Sequence, residues 1–109
     1  MSTELYNPST GQWTMTDNLN NPRVLSTSSL LNDGKVLEVG GDLYSPFSIN
    51  GDSLNTAEFY NSSSNTWTLT DDLNYARSDH AASLLNNGKV LITGGFADFC
   101  QSTAELYDP

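Results

Sequence analysis

The sequence predicts an all-β chain of about two four-stranded antiparallel units plus one extra strand, and three observations lead there. A twelve-residue phrase occurs twice: LLNDGKVLEVGG from Leu30 to Gly41 returns as LLNNGKVLITGG from Leu84 to Gly95, with nine of twelve letters unchanged. Sliding the chain along itself by 54 places also aligns Trp13 with Trp67, Arg23 with Arg77 and Leu31 with Leu85. Ser, Thr and Asn supply 14, 11 and 12 of the 109 residues, while 37% are hydrophobic. That composition suits short polar-faced strands joined by many turns and disfavours long helices.

In chain order, the first element is the strand carrying Tyr6, and the turn NPSTGQ leads from it to the strand of Trp13, where WTMT alternates large and polar residues with period two. Next comes STSSLL, Ser26 to Leu31, whose small residues suit a place where strands from several units crowd together. Asp33-Gly34 then reads as a two-residue hairpin turn, because both positions of such a turn need positive φ and these residues tolerate it. The partner strand is KVLEVGG. It is short, branched and apolar, and it closes on Gly40-Gly41, where a side chain would block a neighbouring backbone.

The second unit repeats this order. A strand carrying Tyr60, the turn NSSSNT and the strand of Trp67 precede HAASLL, the turn Asn87-Gly88, KVLITGG ending on Gly94-Gly95, and a last strand with Tyr107. The whole chain, residues 1–109, is thus one repeat segment with units at roughly 1–55 and 56–109. Their one difference in length lies after the glycine pair, where Asp42 to Ala57 is seven residues longer than Phe96 to Ala104.

A period near fifty with four antiparallel strands is the pattern of a β-propeller blade. The order Arg77, His80, Leu84-Leu85, Gly88-Lys89-Val90, Gly94-Gly95 and Ala104-Glu105-Leu106-Tyr107, with Trp67 in the preceding unit, resembles the kelch repeat. The resemblance implies a kelch-type β-propeller segment. The first unit departs from the second where Ser26 stands for His80 and Glu38 for Ile92, the latter placing a carboxylate in a strand normally covered on both faces. Nine strands make two blades and one strand over, and stacked repeats generally need at least three units. The expectation is a segment of a larger ring that self-associates through exposed blade faces if expressed alone.

Charge narrows the partners. Two Lys and two Arg stand against nine Asp and four Glu, giving a net charge of -9. Phosphate backbones and anionic membrane surfaces call for clustered cations, so nucleic acid and membrane are not expected. There is no run of eighteen apolar residues and no basic, apolar leader in MSTELYNPST. One cysteine, Cys100, and one histidine, His80, fall short of a metal-ligand set, so neither metal nor cofactor is expected. Asn61-Ser62-Ser63 fits the glycosylation acceptor pattern.

Candidate binding residues are Arg23, Arg77, His80, Tyr44 and Phe47. The two arginines precede the first strands of their units, in loops that the family resemblance puts near a rim of the central channel. There they either grip acidic groups of a partner or tie blades together through carbonyls and a local carboxylate such as Asp79, and repetition at equivalent places favours the second. His80 adjoins Asp79 and Ser78, but neighbours in an extended strand point to opposite faces and form no relay, so a structural or channel-lining role is expected and no catalytic residue.

Glu4, Glu58 and Glu105, each two residues before a Tyr, are read as anchors of loop backbone, and Tyr6, Tyr60, Tyr107, Trp13 and Trp67 as packing residues. The loop from Asp42 to Thr56, with Leu43, Tyr44, Phe47 and Ile49, exceeds what the repeat requires and suits a protein contact.

These features lead to a protein-interaction module without catalysis of its own. The alternative is a propeller segment of a galactose-oxidase-like or other carbohydrate-active secreted enzyme, a group resembling kelch proteins in its repeats, but this chain lacks the His and Tyr ligand set of such a site. A sialidase-like propeller is disfavoured because Ser9-Thr10-Gly11-Gln12-Trp13 lacks the Asp and the spacing of the box it would need.

Overall fold

In the computed structural model, residues 2–43 and 52–109 are described. The first hairpin is β1 (Glu4–Asn7) and β2 (Gln12–Met15). β3 (Thr27–Leu30), β4 (Val36–Val39), β7 (Ala57–Asn61) and β8 (Thr66–Leu69) form a four-stranded antiparallel sheet in chain order. β9 (Ala81–Leu84), β10 (Val90–Thr93) and β11 (Ala104–Tyr107) form a third sheet, again in chain order. The nine expected strands are therefore distributed as two, four and three: one complete blade lies between two incomplete ones and straddles the division between the sequence repeats. A short ribbon, β5 (Asp42–Leu43) with β6 (Asp52–Ser53), grows from the long loop in addition to them.

Alternation decides which faces meet. Leu37 and Val39 on β4 and Ala57 on β7 form one apolar cluster with Val90 and Ile92 on β10, and Phe59, Ala82 and Tyr107 pack against it. This is the seam between the second and third sheets. Equivalent positions within the chain show what a neighbouring blade contributes: Val90 is 0% exposed, whereas Val36 at the same place in the preceding unit is half-buried. Tyr60 is 7% exposed and Tyr6 48%. The inner strands β3 and β9 lie side by side, a closeness that Ser28, Ser29, Ala81 and Ala82 permit.

The hairpin turns differ from expectation. Gly34 N–H donates to Leu31 O at 3.0 Å and Leu31 N–H to Lys35 O at 2.8 Å, which closes a three-residue loop, and Gly88 repeats it with Leu85. Only the glycines adopt positive φ, +85° in each case. Asp33 and Asn87 instead turn their side chains back to accept from Lys35 N–H and Lys89 N–H, both at 3.1 Å. A side-chain acceptor two residues upstream thus stabilises a wider turn, in which a single left-handed glycine suffices.

Candidate functional site

The second and third sheets are each closed at one end by a buried arginine. Arg23, 2% exposed, donates from Nη1 to Gly40 O at 2.7 Å and Thr56 O at 2.9 Å, and from Nη2 to Glu58 Oε1 at 2.8 Å. Arg77 repeats the set with Gly94 O at 2.7 Å, Thr103 O at 3.0 Å and Glu105 Oε1 at 3.0 Å. The arginine therefore bridges the end of its unit's second strand to the start of the third. Its carboxylate partner is Glu58 or Glu105 and not Asp79, which is exposed. Both guanidinium groups face inward, away from the partner-facing position that a rim-binding role would require.

The glutamates anchor backbone as well. Glu58 accepts from Asn20 N–H and Nδ2 and from Asn21 N–H at 2.8 to 3.0 Å, and Glu105 accepts from Asn74 N–H and Nδ2 and from Tyr75 N–H at 2.7 to 3.0 Å. Four donors on one carboxylate decide its ionisation. Burial pushes the Glu58 carboxyl up, but the Asn21, Asn20 and Arg23 hydrogen bonds outweigh it and hold the group below its ordinary value. Glu105 is lowered by the same balance, burial again opposing Asn74, Tyr75 and Arg77. Exposed Glu4 has no such hydrogen bond among the described residues.

His80 sits in the seam between blades. Its Nε2 lies 2.7 Å from Thr27 Oγ1, and a Cβ added to Gly40 would come within 2.9 Å of its Cε1. Burial lowers its pKa first, and the Arg77 charge adds to the effect. In the preceding unit Ser26 and Glu38 replace His80 and Ile92, and these two departures belong together, because Glu38 accepts from the Ser26 and Ser28 hydroxyls. A half-buried carboxylate is thus supplied with donors on its own sheet.

The aromatic residues pair across the outer hairpins. Tyr6 stands opposite Trp13 and Tyr60 opposite Trp67, with ring centroids 5.0 and 5.3 Å apart and tilts of 43° and 42°. Tyr107 reaches back to the complete blade, its hydroxyl 2.7 Å from Thr70 Oγ1.

The glycine pairs begin a rim. Asp42 and Val24 exchange both backbone hydrogen bonds at 2.7 and 3.0 Å, and Phe96 and Ser78 do the same at 2.8 Å. Ser53 Oγ donates its one proton to Asp42 Oδ1 at 2.8 Å and lies 3.3 Å from Phe96 O, and Asp79 N–H donates to Leu25 O at 2.9 Å. Loops from two successive blades are thereby joined into one surface. The sequence candidates Tyr44 and Phe47, with Ile49, lie outside the described residues. Val24, Leu25, Phe96 and Phe99, which sequence reasoning passed over, are exposed on this rim.

No family model matches the chain. Spermatocyte protein spe-26 of Caenorhabditis elegans is 32% identical over 102 residues, covering 92% of this chain and 18% of that protein. Kelch repeat-containing protein kel-10, also of Caenorhabditis elegans, is 32% identical over 114 residues, 99% of this chain and 18% of that protein. A solved structure, "Structure of YjhT", superposes on 77% of this chain and 24% of its own with a TM-score of 0.65 at 24% identity. The fold is a kelch-type β-propeller segment. The chain spans less than a fifth of the length of these two relatives, and its similarity to them includes a kelch-repeat protein by name.

Proposed function

We propose that the chain is a kelch-repeat segment acting as a protein-interaction module, binding through the loops on one rim and carrying no catalysis of its own. One observation carries this reading. The charged groups that recur in both units, Arg23 with Glu58 and Arg77 with Glu105, form ion pairs with each other inside the blades, while the loops after the glycine pairs differ between units and meet at the surface, where Ser53 Oγ lies 3.3 Å from Phe96 O. A scaffold whose repeated polar groups close on themselves leaves recognition to its variable loops. Similarity to a kelch repeat-containing protein supports the same reading.

The test is removal of residues 44–51 in the full-length protein. β5 and β6 pair Leu43 with Asp52, so an Asn-Gly turn joining these residues preserves the ribbon. Closure entropy changes little, and stability should move by about 1 kcal/mol or less. Partner capture in pull-downs from source extract should be lost. Undiminished capture would reject the long loop as the binding element.

A further inference from the structure

The rim carries apolar side chains and charge of a single sign. Val24, Leu25, Phe96 and Phe99 are 38%, 58%, 49% and 73% exposed. Backbone hydrogen bonds of Val24 to Asp42, Ser78 to Phe96 and Asp79 to Leu25 tie their segments into one surface, with Ser53 Oγ 3.3 Å from Phe96 O. Single exposed apolar residues are ordinary, but several on adjoining segments mark a contact surface.

On these same segments Asp52, Asp79 and Asp98 are exposed and Asp42 is half-buried. The chain's four cations are elsewhere. Arg23 and Arg77 are buried against Glu58 and Glu105, and Lys35 and Lys89 lie at the far ends of β4 and β10, beside Asp33 and Asp108. The intervening residues 44–51 contain no charged side chain. No exposed Lys or Arg of the chain therefore neutralises these aspartates.

We propose that the rim binds a basic peptide segment, one in which Lys or Arg flank a large apolar anchor. This inference rests on the interaction-module reading and names the partner's chemistry. Acidic partners and nucleic acid are repelled by the aspartates, while a wholly apolar partner would leave those carboxylates to be desolvated without a counter-charge. A segment alternating cations with an apolar side chain satisfies both halves of the surface.

The experiment uses two synthetic peptides of equal length around a central Leu and Phe, one flanked by Lys and Arg and the other by Glu, titrated into the full chain by fluorescence anisotropy. The basic peptide should bind at least about tenfold more tightly than the acidic one and weaken as salt rises from about 50 to about 300 mM. Two charge variants of equal net charge separate the rim from the general field of the molecule. D79N/D98N should lose about tenfold in affinity, and D33N/D108N, beside Lys35 and Lys89 at the far ends of β4 and β10, should lose less than about twofold. The pair L25S/F99S should lose affinity with little change in the melting curve, since both side chains are exposed.

Equal losses in the two charge variants would overturn the proposal by assigning the attraction to net charge. Comparable binding of the acidic peptide would overturn it as well. If full-length protein still captured a partner through the rim under either result, the interaction-module reading would stand and only the basic partner would fall.

Discussion

The carbonyl oxygen of Arg77 accepts a hydrogen bond from Gly41 N–H at 2.9 Å, across the seam between two blades. The same residue's guanidinium closes its own blade on Gly94 O and Glu105. One residue thus serves two joints, with its backbone facing the preceding unit and its side chain its own. The arrangement requires glycine at the crossing, since a Cβ on Gly40 would lie 2.5 Å from that same Arg77 carbonyl oxygen.

Gly40 and Gly94 are equivalent and both left-handed, with φ of +59° and +66°, but a Cβ on Gly94 meets nothing nearer than Gln101 O at 3.8 Å. Gly94→Ala should therefore cost about 1 kcal/mol from backbone strain alone. Gly40→Ala adds a clash with backbone and with His80 and should cost about 2–4 kcal/mol. Urea unfolding of the two variants decides, and equal losses would show that the seam yields to accommodate a side chain.

Glu58→Ala should destabilise by about 3–5 kcal/mol, because it leaves the buried Arg23 without its counter-ion and the Asn20 and Asn21 N–H groups without an acceptor. Glu4→Ala, at the equivalent but exposed position, should stay within about 0.5 kcal/mol of the parent. A similar cost at both sites would place the strength of the anchor elsewhere than in burial.

Acid should weaken the fold in two stages. His80 is held below its ordinary pKa, so the folded chain binds fewer protons than the unfolded one. Its contribution is full above about pH 6.5 and is lost as pH falls through the lowered folded value. Glu58 and Glu105 are likewise lowered from an ordinary value of 4.5, and their contribution disappears in the more acidic range below it. Melting temperature against pH should fall across both ranges, and His80→Gln should flatten the first while leaving the second. A parent curve flat from pH 7 to pH 5 would remove the histidine from this account.

Leu106 is 52% exposed on the third sheet, on the face turned away from the complete blade. Its counterpart Phe59 packs in the seam. Expressed alone, the chain should associate through this face, and Leu106→Lys should reduce the associated fraction in gel filtration with light scattering. A monomer at every concentration for both proteins would contradict this.

How the strands pair was legible from local chemistry. Period-two alternation around Trp13 and Trp67, the Asp33-Gly34 and Asn87-Gly88 turns and the glycine pairs marked the strand ends, because alternation and left-handed backbone are properties of neighbouring residues. The recurrence of Glu58 and Glu105 two places before a Tyr also showed that each had an anchoring task. Which arginine each glutamate would meet depended on chain reversals spanning 35 residues for Arg23 and Glu58, and 28 for Arg77 and Glu105. The adjacent Asp79 looked the nearer partner only in sequence.

Tertiary structure alone decided that Ser26 and Ser28 would supply donors to Glu38, and that the loops carrying Val24, Leu25, Phe96 and Phe99 would share a rim. Burial is likewise assigned by the neighbouring blade. Val36 and Val90 sit in nearly identical local sequence, yet only Val90 is fully covered, because the sheet that shields it is the preceding blade, built from strands of both sequence repeats, and not its own.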